Sequence, residues 1–297
     1  MIPRSMKPIA LLGAPSNLGL KPYADGNPRG VDRAPGVYRD RGLVERLGAR
    51  DLGDVQAPPY RDFGRPDGGI RNEPEIDAYS QALGRRVAEG TADGDFLLVL
   101  GGDCSILLGT LLGLRERGPC GLAFVDGHCD FAVPSISTTG GAAGMDLALA
   151  VGRNGRVSLV REEDVVVLGR KDEADEPYYG VHSLRRSAVQ DLPYEQIRTR
   201  GVNAVIEDAL PRLARTDLWG FWIHLDADVL DPEVMPAVDS PEPGGLGIDD
   251  LAALLLPLAR HPRAFGLQVT VYDPNLDPDG TCASRLVALL ERVLVQP

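Results

Sequence analysis

The chain has 297 residues, of which 43% are apolar and 25% charged, and a formal charge of −12. That length can bury a large core in one piece, so a single domain over 1–297 is expected. The acidic balance, with no cluster of Lys and Arg, excludes a nucleic-acid face and leaves a small molecule, or a cation, as the expected partner.

Near the start, MIPRSMKPIALLG has too short an apolar core for a signal peptide, and IALLG (9–13) reads as a buried strand. A helical pattern, EIDAYSQALGRRVAEG (75–90), then leads to a strand, FLLVLG (96–101). The helix SILLGTLLGLRERG (105–118) is followed by the strand GLAFVD (121–126), and a further strand reads at DVVVLG (164–169). The rest alternates: helix VNAVIEDALPRLAR (202–215), strand FWIHLD (221–226), helix IDDLAALLLPLAR (248–260), strand FGLQVTVY (265–272) and helix SRLVALLERVL (284–294). Strands that are apolar on both faces and alternate with helices predict a parallel sheet covered on both sides, an α/β fold. No run reaches the ~18 apolar residues of a membrane span, so no membrane partner and a cytoplasmic location are expected. The four cysteines, Cys104, Cys120, Cys129 and Cys282, show no CxxC spacing and are expected to be reduced thiols.

Polar clusters sit where three of these strands end, in the crevice where open sheets place ligands. GGDCS puts Cys104 between a strand and a helix; DGHCD offers Asp126, His128 and Asp130; LDADVLDP offers Asp226 and Asp228. If strand geometry persists, the alternating residues of the second and third clusters share one face. So many carboxylates beside one imidazole repel unless cations intervene, and they suit hard to borderline divalent ions such as Mn²⁺. Several bridging carboxylates favour a pair of ions about 3.5–4 Å apart. Singly, a DxD is more often a turn and a strand His more often core; it is their combination that carries the reading. Cys129 reads as core, Asp231–Pro232 as a turn, and Asp103 as a residue that orients the loop. The acidic run KDEADE (171–176) reads as a solvated loop, with a substrate amine as the alternative partner.

These motifs, with GAPSNLG, RGVDRAPGVYR, DLGDV (51–55), PGGL (243–246) and YDP (272–274) in the same order, resemble the ureohydrolase superfamily of arginases, agmatinases and formimidoylglutamases. The resemblance implies a three-layer α/β/α arginase-like fold with a mainly parallel sheet of about eight strands. It also implies two Mn²⁺ per chain and a homo-oligomer, trimer or hexamer. One metal would be held by Cys104, Asp126, Asp130 and Asp226, and the other by Asp126, His128, Asp226 and Asp228. The family commonly has histidine where this chain has Cys104; a thiolate there adds a negative charge and opens the position to Fe²⁺, Co²⁺ or Zn²⁺. Asp130 takes the family's proton-transfer role as the catalytic residue.

Two more departures concern substrate. The glutamate that pairs a guanidinium falls on Val271, and a histidine downstream of the metal motif falls on Ala143. The expected activity is therefore hydrolysis of a linear carbon–nitrogen bond in a guanidine-like, amidine or ureido group, with an N-hydroxyguanidine favoured over L-arginine. A binding or scaffold protein with an impaired site is the alternative. His224, Asp273 and Asp277 are possible pocket residues, with strand-end and turn roles the stronger reading.

Overall fold

The computed structural model describes residues 7–62, 64–172 and 180–295. Eight strands form one sheet: β1 (Ile9–Ala14), β2 (Arg50–Asp54), β3 (Phe96–Gly101), β4 (Cys120–Val125), β5 (Val165–Leu168), β6 (Gln190–Leu192), β7 (Gly220–Asp226) and β8 (Ala264–Thr270). Their order is β2-β1-β3-β8-β7-β4-β5-β6, and every pairing is parallel. Among the described residues the sheet is wholly parallel, in keeping with the expected mainly parallel sheet of about eight strands.

Alternate residues of each strand enter opposite cores. Ile9 and Leu11 join Leu98, Val125 and Leu225 on one side, whereas Ala10 and Leu12 join Val99, Phe124 and Trp222 on the other. The first face is covered by the helices Val202–Leu213, Ile248–Ala259 and Thr281–Leu294, and the second by Glu73–Gly90 and Ile106–Leu114. In Glu73–Gly90 the buried Ile76, Tyr79, Leu83 and Val87 recur at helical spacing and make one apolar stripe. That helix lies so close to Ile106–Leu114 that a Cβ on Gly113 would fall 2.3 Å from the Gly84 carbonyl, so only glycine fits.

The two strands that periodicity misses are the sheet edges. β2 is largely exposed along RDLGD, and β6 has only three residues. An edge strand needs no apolar run on both faces, so the pattern that reveals central strands is missing there. The central four, β3-β8-β7-β4, end side by side and bring GGDCS, DGHCD, LDADVLDP and Val271 to one rim.

Candidate metal centre

The spacing of the two aspartate motifs works through turns, not through continued strands. β4 stops at Val125, and Asp126 Oδ1 accepts the backbone N–H of His128 at 2.7 Å. β7 stops at Asp226, whose Oδ1 accepts the N–H of Asp228 at 2.8 Å within a single 3₁₀ turn. The same Asp side-chain turn thus closes both motifs. Asp228 Oδ1 also takes the Gly127 N–H at 3.0 Å, which ties the two turns together. Strand alternation would have put the acids on a flat face; the turns curl them around a common point.

Two buried groups of potential ligands result. Cys104, Asp126, His224 and Asp226 offer donor atoms all within 4.8 Å of one another, and so do Asp126, His128 and Asp228. Asp126 belongs to both. His128 Nδ1 lies 2.9 Å from Asp228 Oδ2, while its Nε2 is 3.6 Å from Glu242 on the outer side. The Cys104 thiol donates to Asp226 Oδ2 at 2.7 Å and lies 3.0 Å from Thr270 Oγ1.

Electrostatics follow from burial. Asp126 and Asp226 titrate well above the usual carboxylate range because they are buried and because neighbouring acids repel the second charge. Asp130 is raised by burial and then by Asp146, and Asp146 by burial and then by Asp126. Burial likewise pushes the Cys104 thiol up, with Asp226 adding to it, so without a cation the carboxylates prevail over the nearby helix N-terminus and the thiol keeps its proton. For Asp228, burial acts upward, but His128 and Lys171 outweigh it and lower the value. Burial opposes a charge on His128, yet Asp228 and Glu242 more than compensate. Among the described residues, Asp126 Oδ2, His224 Nε2 and both Asp146 oxygens are buried without a hydrogen-bond partner. Orphaned oxygens among mutually repelling acids fit divalent cations, which would satisfy both deficits together.

A cleft of about 200 Å³ opens onto this centre, lined in part by Cys104, His128, Asp130, Asp226, Asp228 and Val271. Asp130 lines the cleft but lies in neither ligand group. Of the three described non-glycine residues with positive φ, two are at this site, Asp130 at 43° and Val271 at 71°. For a β-branched residue such a conformation is strained, and strain of this kind concentrates at functional sites. The Val271 N–H is held by the Gly102 carbonyl at 2.8 Å, which joins the rim of β8 to GGDCS.

The remaining sequence candidates sort cleanly. Asp103 orients the loop by accepting from the N–H groups of Gly19 (3.1 Å) and Ser105 (2.8 Å). Asp231 makes the turn with Glu233 N–H at 2.8 Å, and Cys129 is fully buried. Asp273 clamps Tyr23, Gly30 and Asn275, and Asp277 holds the first turn of the helix Thr281–Leu294 through Cys282 and Ala283. Neither lines the cleft. Residues 173–176 of KDEADE lie outside the described residues. Its first two members turn inward: Lys171 donates to the carbonyls of Leu230, Glu242 and Gly244, and Asp172 pairs with Arg170. All four cysteines are free thiols.

Two residues of the site carry little signal in the sequence. His224 belongs to the Cys104 group; its only sequence signal was a polar residue inside the strand run FWIHLD. Asp146 is fully buried at the start of the helix Asp146–Ala150, just past Ala143 and Gly144 of the cleft wall. In sequence it looks like an ordinary acid in a first helical turn.

The family model for the Arginase family matches residues 7–295. The chain belongs to the Arginase family. Arginase of Bacillus caldovelox is 30% identical over 303 residues, covering 96% of this chain and 97% of that protein. The solved native structure of that arginase superposes with a TM-score of 0.85 at 29% identity, covering 98% of this chain and 99% of that one. Formimidoylglutamase from Bacillus subtilis shares the fold with a TM-score of 0.79 at 21% identity, over 99% of this chain and 88% of that one. With this family and this buried ligand centre, the chain is a metal-dependent hydrolase of amidine- or guanidine-type carbon–nitrogen bonds.

Proposed function

We propose that the enzyme hydrolyses a linear substrate whose reacting carbon is neutral or weakly basic, such as an N-hydroxyguanidine, an acylated guanidine or a ureido group, in preference to L-arginine. The observation that carries this is Val271. It is 4% exposed and lines the cleft where a guanidinium would need a carboxylate. Among the described residues, the acids that line the cleft are Asp130, Asp226, Asp228 and Asp239; the first three surround the metal centre, and Asp239 pairs with Arg29 at 2.7 Å. A buried guanidinium with no partner costs several kcal/mol, whereas a neutral group avoids that loss. The side chain of Ala143, also on the cleft wall, offers neither a charge nor a hydrogen bond.

Cys104, Asp126, Asp130 and Asp226 would hold one divalent ion, and Asp126, His128, Asp226 and Asp228 the other, with Mn²⁺ as the expected metal and Fe, Co or Zn possible beside Cys104. Such a pair supplies Lewis acidity for attack of water on the planar carbon. Asp130, which lines the cleft, takes the proton from the attacking water and returns it to the leaving amine. No helix among the described residues is long and apolar enough to cross a membrane. A cytoplasmic homo-oligomer, trimer or hexamer, acting on a small molecule belongs to the same proposal.

The test is a set of kcat/KM values on the Mn²⁺-loaded enzyme for L-arginine, Nω-hydroxy-L-arginine and the corresponding ureido and acylguanidine compounds. At least one weakly basic compound is expected to exceed arginine by tenfold or more. Arginine turning over best would overturn the assignment.

A further inference from the structure

His224 is the imidazole nearest Cys104, and its membership of the ligand group suggests that it replaces the histidine missing at position 104. The residues behind it say otherwise. His224 on β7 stands in register with Gln268 on β8, and Trp222, two residues earlier, stands opposite Gly266. All three side chains, Trp222, His224 and Gln268, are fully buried. The Trp222 indole N–H donates to Gln268 Oε1 at 3.1 Å, and Gln268 Nε2 lies 2.8 Å from His224 Nδ1. Gly266 makes this possible, since a Cβ there would fall 2.0 Å from the indole ring.

Each link has one chemical solution. An indole nitrogen donates and never accepts, so Gln268 must turn its carbonyl toward it. The glutamine NH₂ then faces Nδ1, and an amide nitrogen cannot accept a hydrogen bond. Nδ1 must therefore be the bare nitrogen of a neutral ring, with the proton on Nε2. Turning the glutamine over would set two N–H donors against each other and strand the indole N–H in the core. Phe124, in register on β4, stacks on the imidazole at 4.6 Å between centroids and 10° between planes, which fixes the ring orientation.

We propose that His224 serves the Cys104 side of the centre as a hydrogen-bond donor to Asp126 through Nε2–H, its tautomer set by the Trp222–Gln268 relay, and is not a metal ligand. Nε2 is 3.7 Å from Asp126 Oδ2, and neither atom has another hydrogen-bond partner. That gap is beyond a hydrogen bond, and a movement of about 1 Å or less closes it. The role is positional: it holds the carboxylate shared by the two ligand groups and withdraws charge from it. The Cys104 group then offers only anionic ligands, while the other group has the imidazole of His128.

The chain has only four histidines, so selective ¹⁵N-histidine labelling gives a sparse NMR spectrum, in which His224→Gln assigns the resonance by its loss. The expected result is a bare Nδ1 and a protonated Nε2 for His224, both in the metal-free protein and after loading with diamagnetic Zn²⁺. A proton on Nδ1, a doubly protonated ring, or a zinc-induced coordination shift at Nε2 overturns the proposal. Gln268→Glu supplies an acceptor to both neighbours and is expected to move the proton to Nδ1. The bared Nε2 then tightens Zn²⁺ binding by about 10–100-fold, as measured by calorimetry. If Gln268→Glu does not fold, Trp222→Phe frees the glutamine to turn and is expected to yield a mixture of tautomers; an unchanged spectrum in whichever variant folds counts against the relay.

Discussion

Replacing Arg170 with methionine removes the cation that anchors the DGHCD loop from behind. Its guanidinium is 3% exposed and grips Asp191 with two hydrogen bonds of 2.8 and 2.6 Å. A third nitrogen reaches the Asp172 carboxylate at 3.1 Å and the Asp172 carbonyl at 3.0 Å. The other Asp172 oxygen accepts the N–H of Cys129 at 3.1 Å, between His128 and Asp130. Asp172 has no exposed side-chain surface, so Arg170→Met leaves a buried carboxylate without its cation, at a cost of about 3–5 kcal/mol. Asp191 is 17% exposed, and water offsets part of its loss, so Asp191→Asn is expected to cost less, about 1 kcal/mol. Equilibrium urea unfolding of the wild type and both variants measures these values. Arg170→Met combined with Asp172→Leu should recover part of the loss, because the fully buried carboxylate is gone and only the part-exposed Asp191 is left unpaired, although the Cys129 N–H then lacks its acceptor. In the single variant, Mn²⁺ affinity should also fall, since the loop that carries His128 and Asp130 loses its anchor. An Arg170→Met protein within about 1 kcal/mol of wild type would show that the pair does not hold the loop, and the argument would fail.

Mn²⁺-loaded protein should retain close to two ions per chain by elemental analysis; Cys104→Ser should lose one, because an alcohol is a poor anionic donor, and Cys104→His should regain it with less preference for Zn²⁺. If Cys104→Ser keeps both ions with unchanged affinity, the thiol is only packing. Asp130→Asn keeps the shape and removes the proton acceptor, so turnover should drop by at least 10²-fold with little change in fold; retained activity would place the proton relay elsewhere. Asp146 is an acid whose folded pKa is raised by burial and by Asp126. The folded state therefore holds a proton that the unfolded chain releases, and stability falls as pH rises from the ordinary carboxylate value through the raised one. In the metal-free protein, Asp146→Asn should flatten this decline by up to about 1.4 kcal/mol per pH unit and be the more stable form at neutral pH. A metal-free Asp146→Asn that melts below wild type at pH 7 would contradict the reading of Asp146 as a buried acid whose ionisation costs stability.

Much of the molecule was legible in one dimension because its central elements carry local signatures. The strands IALLG, FLLVLG and GLAFVD are apolar on both faces because helices cover both faces, and the long helices show their buried stripes at regular spacing. The candidate ligand acids were visible because their motifs each sit immediately after such a strand. What escaped was decided by partners far away in the chain. β2 and β6 are strands only because a neighbour pairs with them at the sheet edge. The acids converge because Asp126 and Asp226 cap their own turns and Asp228 joins the two, where local alternation implied a flat face. Asp146 looks like a routine first-turn acid until the sheet rim buries it beside other carboxylates. For His224, the sequence shows an imidazole near a metal motif; which nitrogen carries the proton depends on Trp222 and on Gln268, 44 residues further on and one strand across. Residue types and their spacing determined the fold class and the kind of chemistry, since these follow from local hydrophobic pattern and donor identity. The direction of each hydrogen bond and the charge of each buried acid belong to the tertiary structure alone, because both depend on what the fold places opposite a side chain after water has been removed.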